Sequence, residues 1–279
     1  MHLEERKIKE IEHSNRRRSI VRAYEYRTDA SPDQLDKNYV ERKSKFEQHF
    51  SNMRFYSITW ASFAYRDALL FDRIKGAVVL DYCCGNGEVA VEMARHGASR
   101  VVGIDISAVA IENARELAKS AGVDAVCQFS VMDAEHTEFA DGTFDLIHEY
   151  GALHHLDLPV AYAELSRLLK AEGKLVCTEA LHHNPLIHWY RRRTPHLRTQ
   201  WEVEHILGVD DIDYARKYFS EVKVSFFHLA VLIAVPFRKT KLFSPLCRML
   251  NKIDSFLLRR QGIGKYGWIA VFTMGGPRK

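Results

Sequence analysis

No hydrophobic run in this sequence is long enough to cross a bilayer. The longest, Phe226 to Phe237, contains His228 and falls short of the roughly 20 apolar residues a spanning helix needs. The N-terminus, MHLEERKIKEIEH, is charged and has no apolar core, so it does not read as a secretory signal. Cysteine is sparse and scattered. The five residues Cys83, Cys84, Cys127, Cys177 and Cys247 form no metal-like CxxC pair, and a reducing, cytoplasmic compartment suits them. There is no internal repeat and no low-complexity tract. Net charge is only +4, so no large field is expected over the whole molecule. What remains is a chain of 279 residues, 47% apolar and 27% charged, which fits a soluble globular protein with one large core.

The small net charge hides an uneven distribution. Residues 181–200 hold four arginines and no acid, and residues 238–265 hold eight Lys or Arg with Asp254 as the one acid. Such patches suit phosphate, carboxylate or an anionic membrane surface. They equally suit a solvated face.

Residues 1–75 read as a helical cap with no good strand. Phe50, Phe55, Tyr56, Trp60, Phe63 and Tyr65 make the stretch from Phe46 to Phe71 rich in aromatics. Over 76–279 short apolar runs alternate with helical periods, as in repeated βαβ units. Strands are expected at Ala77–Leu80, Arg100–Ile104, Val126–Ser130, Phe144–His148 and Lys174–Thr178. Two more follow at Val222–His228 and Gly267–Met274. Ser107 is placed to cap a helix that buries Ile111, Ala114 and Leu117, and Gly122 to end it. Another helix covers about 159–169, and Glu172-Gly173 reads as a turn. Two insertions interrupt the pattern, one polar and aromatic at about 181–212 and one apolar and basic at about 229–265.

The chemistry begins in Val79-Leu80-Asp81-Tyr82-Cys83-Cys84-Gly85-Asn86-Gly87-Glu88. A buried strand ends in an acid, then a small-residue turn opens a helix whose free N–H groups face outward. The next strand, Val101 to Ile104, ends at Asp105 and Ile106. A carboxylate there can accept both hydroxyls of a ribose, in a dinucleotide or in S-adenosylmethionine (SAM). Asp133-Ala134 follows the third strand, and Phe144-Asp145-Leu146-Ile147 opens the fourth.

In order and spacing these elements resemble the class I SAM-dependent methyltransferases, well over residues 76–180. The segment Gly151-Ala152-Leu153-His154-His155-Leu156 resembles the GAxHHL stretch of the small-molecule type. The resemblance implies a Rossmann-like α/β fold with a seven-stranded, mostly parallel sheet. It implies SAM as cofactor and S-adenosylhomocysteine as product. Cys83, Gly85 and Gly87 would line the methionine part, and Asp81 would help hold its amino group, directly or through water. Asp105 would bind the ribose, Ile106 beside it would also touch the cofactor, and Asp133 with the Ala134 backbone would bind the adenine edge. Cys83 departs from the pattern by standing where the family has its first glycine.

Glu149-Tyr150 and the His154-His155 pair leave the carboxyl end of the fourth strand, where ligands meet such sheets. Glu149, placed to touch the cofactor as well, Tyr150, His154 and His155 are therefore the candidate catalytic groups. A histidine near its ordinary pKa can take a proton from an acceptor. Adjacent loop residues are expected to point different ways, so that only one histidine faces the acceptor. Direct methyl transfer requires no metal, and none is expected. Arg191, Arg192, Arg193 and Arg198 can clamp an anionic group or pair with Glu202 and Glu204 to hold the insertion.

The expected acceptor is a lipophilic small molecule: an aromatic, polyketide or prenylated secondary metabolite, methylated on oxygen or carbon. Two rivals are an RNA or protein methyltransferase and a SAM-binding protein that catalyses a cyclisation or transfers nothing. No RNA-binding module is recognisable, and nucleic acid is not an expected partner. The basic segments allow peripheral membrane contact, and a homo-oligomer is compatible with the chain.

Overall fold

The computed structural model describes residues 2–25, 50, 52–260 and 262–278. Phe46 and the rest of 26–49 lie outside the described residues.

Among the described residues, the helices α1 (His2–Glu25), α2 (Met53–Tyr56) and α3 (Trp60–Phe71) come first. The alternating part then runs β1 (Val78–Tyr82), α4 (Glu88–Arg95), β2 (Arg100–Asp105), α5 (Ala108–Ser120), β3 (Cys127–Val131) and β4 (Phe144–Tyr150). It continues with α6 (Leu158–Leu168) and β5 (Leu169–Ala180). The first insertion folds into α7 (Pro185–Arg193), α8 (Gln200–Glu204) and α9 (Val209–Tyr214). Strand β6 (Phe219–Phe227) and helix α10 (Phe243–Leu257) precede the last strand, β7 (Ile269–Pro277).

The strands form one sheet in the order β3-β2-β1-β4-β5-β7-β6. All pairs are parallel except those of β7, which runs antiparallel to β5 and β6. Successive residues of a strand face opposite sides. Val79 and Val101 enter one apolar core, and Leu80 and Val102 enter the other. Both faces are thus buried, which is why these strands read as nearly unbroken apolar runs. The chain reverses its direction of travel across the sheet between β1 and β4, and this places a crevice at their carboxyl ends.

The expected helix signals hold at α5. Ser107 Oγ accepts the Ala110 N–H at 3.1 Å, and Gly122 follows the helix at φ +69°. Ile111 and Ala114 are buried, while Leu117 is only partly so, because Ala110 and Ala118 take more of the face. One expectation fails. Glu172-Gly173 is not a turn but lies inside β5, which begins at Leu169. Phe144 pairs with Leu169 and Leu146 with Lys174, so the extra residues of β5 bulge out of register instead of reversing. Lys170 anchors the bulge on Asp145 at 2.7 Å.

Aromatics of the cap dock on the sheet and the first insertion. Phe55 meets Tyr190 edge to face at 4.8 Å, Tyr56 meets Trp268 at 5.3 Å, and Phe63 meets Tyr150 at 5.8 Å. Tyr65, though 40% exposed, meets Phe227 of β6 at 5.3 Å, and Trp60 is half exposed.

Candidate active site

The turn after β1 is built on left-handed backbone. Cys83, Gly85 and Gly87 have φ of +58°, +56° and +80°. Cys83 therefore adopts the conformation that favours glycine, at a cost of about 1 kcal/mol for an L-residue. Gly87 has no alternative: a Cβ there would lie 2.8 Å from the Cβ of Ala114. Inside the turn the Cys84 N–H donates to the Ile104 carbonyl at 2.8 Å, the Gly87 N–H to the Cys84 carbonyl at 3.0 Å, and the Gly85 N–H to Asp105 Oδ2 at 3.0 Å. The other Asp105 oxygen accepts the Ser107 N–H at 2.8 Å. Each carboxylate oxygen has a second lone pair for a ribose hydroxyl.

The remaining expected cofactor residues fall along the same edge. Ile106, beside Asp105, is half-buried. Asp133 Oδ1 accepts the Glu135 N–H at 3.0 Å, and Ala134 is buried with its carbonyl accepting from Tyr82 Oη at 2.6 Å. Asp81 is turned into the sheet. It is 2% exposed, and its Oδ1 meets His148 Nδ1 at 2.8 Å. Its Oδ2 is buried without a hydrogen-bond partner among the described residues.

Helix α1 lies across this edge. Lys7 bonds to Asp133 and, at 2.9 Å, to Glu135. Arg6 donates to Glu135 at 2.6 Å and to the His155 carbonyl at 2.8 Å. Asn15 Oδ1 accepts from Ser107 Oγ at 2.6 Å. The Arg18 guanidinium rests over the glycine turn, 2.7 Å from where a Cβ of Gly85 would stand. None of these contacts has a periodicity or motif in the sequence to announce it.

The carboxyl ends of β4 and β5 carry the polar chemistry. Glu149 is fully buried, and its Oε1 accepts the Ala152 N–H at 2.6 Å. Glu179, on β5, is 1% exposed and accepts the Leu153 N–H at 2.7 Å. Its other oxygen meets His154 Nδ1 at 2.9 Å. Burial, reinforced by the neighbouring Glu179 charge, pushes the Glu149 carboxyl well above the usual range. Burial also opposes charge on Glu179 and on His154, but their mutual attraction outweighs it. Glu179 is held below its ordinary value and His154 above. The two carboxyls are thus pushed apart in acidity, as expected for neighbouring acids in a dry site.

The two histidines do not diverge as the sequence suggests. Leu153–His155 is a single 3-10 turn, and the imidazoles lie side by side with centroids 4.2 Å apart. The turn rotates successive side chains by about 120°, not the 180° of a strand. His154 is held by Glu179, and its Nε2 lies 3.9 Å from Glu202 Oε1. His155 is held from the cap, its Nδ1 2.9 Å from Glu10. One donor atom each from His154, His155 and Glu202 lies within 4.8 Å of the others. Tyr150 remains 37% exposed at the mouth of the crevice. Burial raises the Cys83 thiol well above its ordinary pKa, chiefly through desolvation, so it is not a ready nucleophile.

The arginines of the first insertion mostly hold structure. Arg191 donates to the Leu181 carbonyl at 2.8 Å, Arg198 pairs with Glu202 at 3.2 Å, and Arg193 covers the Trp189 ring at 4.1 Å. Arg192 is exposed. Together with Leu156, Leu158, Trp201 and Ile206 these helices line a 940 Å³ pocket beside the histidine turn.

Sequence reasoning missed Glu179. The strand was expected to stop at Thr178, one residue short of an acid at a strand's carboxyl end, which is the signal that would have found it. Glu10 and Arg18 gave no comparable signal, whereas the pairing of Arg198 with Glu202 was among the sequence's expectations.

A family profile described as a methyltransferase domain matches residues 79–173. The 27-O-demethylrifamycin SV methyltransferase of Amycolatopsis mediterranei is 33% identical over 120 residues, covering 40% of this chain and 44% of that protein. The ubiquinone/menaquinone biosynthesis C-methyltransferase UbiE of Geotalea uraniireducens is 32% identical over 108 residues, 38% of this chain and 46% of that one. The chain thus matches less than half the length of these curated relatives. Among solved structures, the [4+2]-cyclase SpnF superposes with a TM-score of 0.51 at 21% identity, over 76% of this chain and 78% of that one, a likeness of fold. The matched segment runs from the strand before the glycine turn, through the Asp105 and Asp133 positions and the histidine turn, to the start of β5. Residues 79–173 therefore match a methyltransferase domain, set in a sheet of the same fold as that solved structure.

Proposed function

We propose that this chain transfers a methyl group from SAM to a lipophilic small molecule, on oxygen or carbon, with His154 as the general base. The observation that carries the reading is the Glu179–His154 pair. It lies at the carboxyl ends of β4 and β5, beside the row formed by the glycine turn, Asp105 and Asp133. Two of the curated relatives are named for methylating a rifamycin and a quinone precursor, both consistent with such an acceptor.

The cleft residues divide the work. The turn at 83–87, Asp105, Ile106 and Asp133 would hold SAM, and Arg18 is placed to meet its carboxylate. The bound sulfonium supplies an electrophilic methyl group, so the protein contributes mainly alignment. Glu179 fixes the His154 ring through Nδ1 and leaves Nε2 to accept the proton an acceptor hydroxyl or carbon gives up as the new bond forms. The electron pair of the broken S–C bond stays on sulfur. The pocket lined by Leu156, Trp201 and Ile206 would receive the apolar body of the acceptor.

The test is product mass. Incubation with methyl-labelled SAM and a panel of phenolic, quinol and prenylated acceptors should give products heavier by one labelled methyl group. A product of unchanged mass would instead support a cyclase. Label appearing only in RNA or protein would overturn the small-molecule reading.

A further inference from the structure

Helix α10 has two apolar faces. One buries Cys247 and Leu250 against the domain. The other is open: Leu242, Met249, Ile253 and Phe256 are 63%, 53%, 41% and 61% exposed. At 3.6 residues per turn these four fall within an arc of about 60°. The exposed Arg248 and Lys252 fall on an adjoining arc, and the exposed Lys241 and Arg259 stand in the turns at either end of the helix, so cations border the apolar stripe. The preceding 3-10 helix, Ala230–Phe237, packs on α10 and exposes Ile233 and Phe237. Beside the cation row runs a 1220 Å³ groove whose walls include Arg248, Lys252 and Arg259 and the exposed Trp60 and Tyr65.

The sole acid of 238–265 is withdrawn from this surface. Asp254 is 3% exposed, and it accepts the N–H groups of Leu229, Ala230 and Val231 at 3.1, 2.6 and 3.1 Å. It clamps the two helices together and leaves the cations without a carboxylate partner among the described residues.

We propose that this face docks on an anionic membrane surface, with the stripe entering the interface and the lysines and arginines meeting lipid phosphates. An apolar stripe flanked by basic residues has the form of a helix that lies in the plane of a membrane. Among the described residues no helix is long and apolar enough to cross one. A second copy of the chain is a poorer occupant, because a two-fold contact would set the same row of cations against itself. Nucleic acid would match the charges but not the stripe of Leu, Met, Ile and Phe. The proposal stands independently of the acceptor and of methyl transfer.

Vesicle co-sedimentation of the full chain tests it. The protein should pellet with phosphatidylcholine–phosphatidylglycerol vesicles, and much less with phosphatidylcholine alone. R248E/K252E should weaken binding to the mixed vesicles by more than tenfold, since each cation near such a surface contributes roughly fivefold. M249S/F256S should weaken it comparably, and unlike the wild type its residual binding should vanish at high salt. Both variants should melt and bind S-adenosylhomocysteine like the wild type. The proposal is overturned by equal binding to neutral vesicles, by no binding to the anionic ones, or by variants that bind unchanged. It is also overturned if the surface proves to drive dimerisation that both variants abolish without any vesicle binding.

Discussion

Replacing Glu179 by Gln removes the charge that holds His154 and preserves the shape of the contact. The two groups meet at 2.9 Å, and Glu179 is 1% exposed. A hydrogen bond to a charged group contributes about 1.5–3 kcal/mol, and a neutral amide retains about half of that. At about 1.36 kcal/mol per pKa unit, the His154 pKa should fall by about one unit. A base must be unprotonated to act. In the wild type, kcat/KM should therefore rise with pH through a value above the ordinary 6.5, since His154 is raised. In Glu179→Gln the rise should move about one unit to lower pH, and in His154→Ala it should vanish with a loss of about a hundredfold or more in turnover. Stability gives a second readout. The His154 share is complete below 6.5 and is lost as pH rises through the raised folded value. The Glu179 share is complete above 4.5 and is lost as pH falls through its depressed one. The variant should lose stability chiefly between those limits. A pH–rate profile unmoved by Glu179→Gln would refute the assignment of His154 as base.

Arg18→Ala should weaken S-adenosylhomocysteine binding by about 1.5–3 kcal/mol if the guanidinium meets the ligand carboxylate, while binding of a decarboxylated analogue stays unchanged. Calorimetry that finds tighter binding in the variant would mean the side chain obstructs the cleft. Cys83→Gly should keep SAM affinity and leave thermal stability equal or higher by up to about 1 kcal/mol, because the left-handed strain is released. Cys83→Val should lower stability by about 2 kcal/mol, and a Val variant as stable as the wild type would remove strain from the account.

The sheet was legible because its strands, buried on both faces, read as apolar runs between turns rich in small residues. Asp105 and Asp133 were legible because each stands at a strand's carboxyl end. Longer-range contacts left no such mark. Glu10 meets His155 across 145 positions of sequence, and Lys7 reaches Asp133 across 126. The bulge in β5 looked like a turn because Glu-Gly is turn chemistry, and only pairing with Phe144 and Leu146 keeps it extended. The side-by-side histidines depended on a 3-10 turn that no residue of the segment specifies locally.

Titration calorimetry with S-adenosylhomocysteine and with NAD tests the central claim most directly. The wild type should bind S-adenosylhomocysteine saturably and give no heat with NAD. Asp105→Asn retains an oxygen for the Ser107 N–H, removes the charge and costs the Gly85 N–H its acceptor. It should weaken S-adenosylhomocysteine binding by about 1.5 kcal/mol, roughly tenfold. Tight NAD binding with no response to S-adenosylhomocysteine, or an Asp105→Asn variant with an unchanged dissociation constant, would contradict the account.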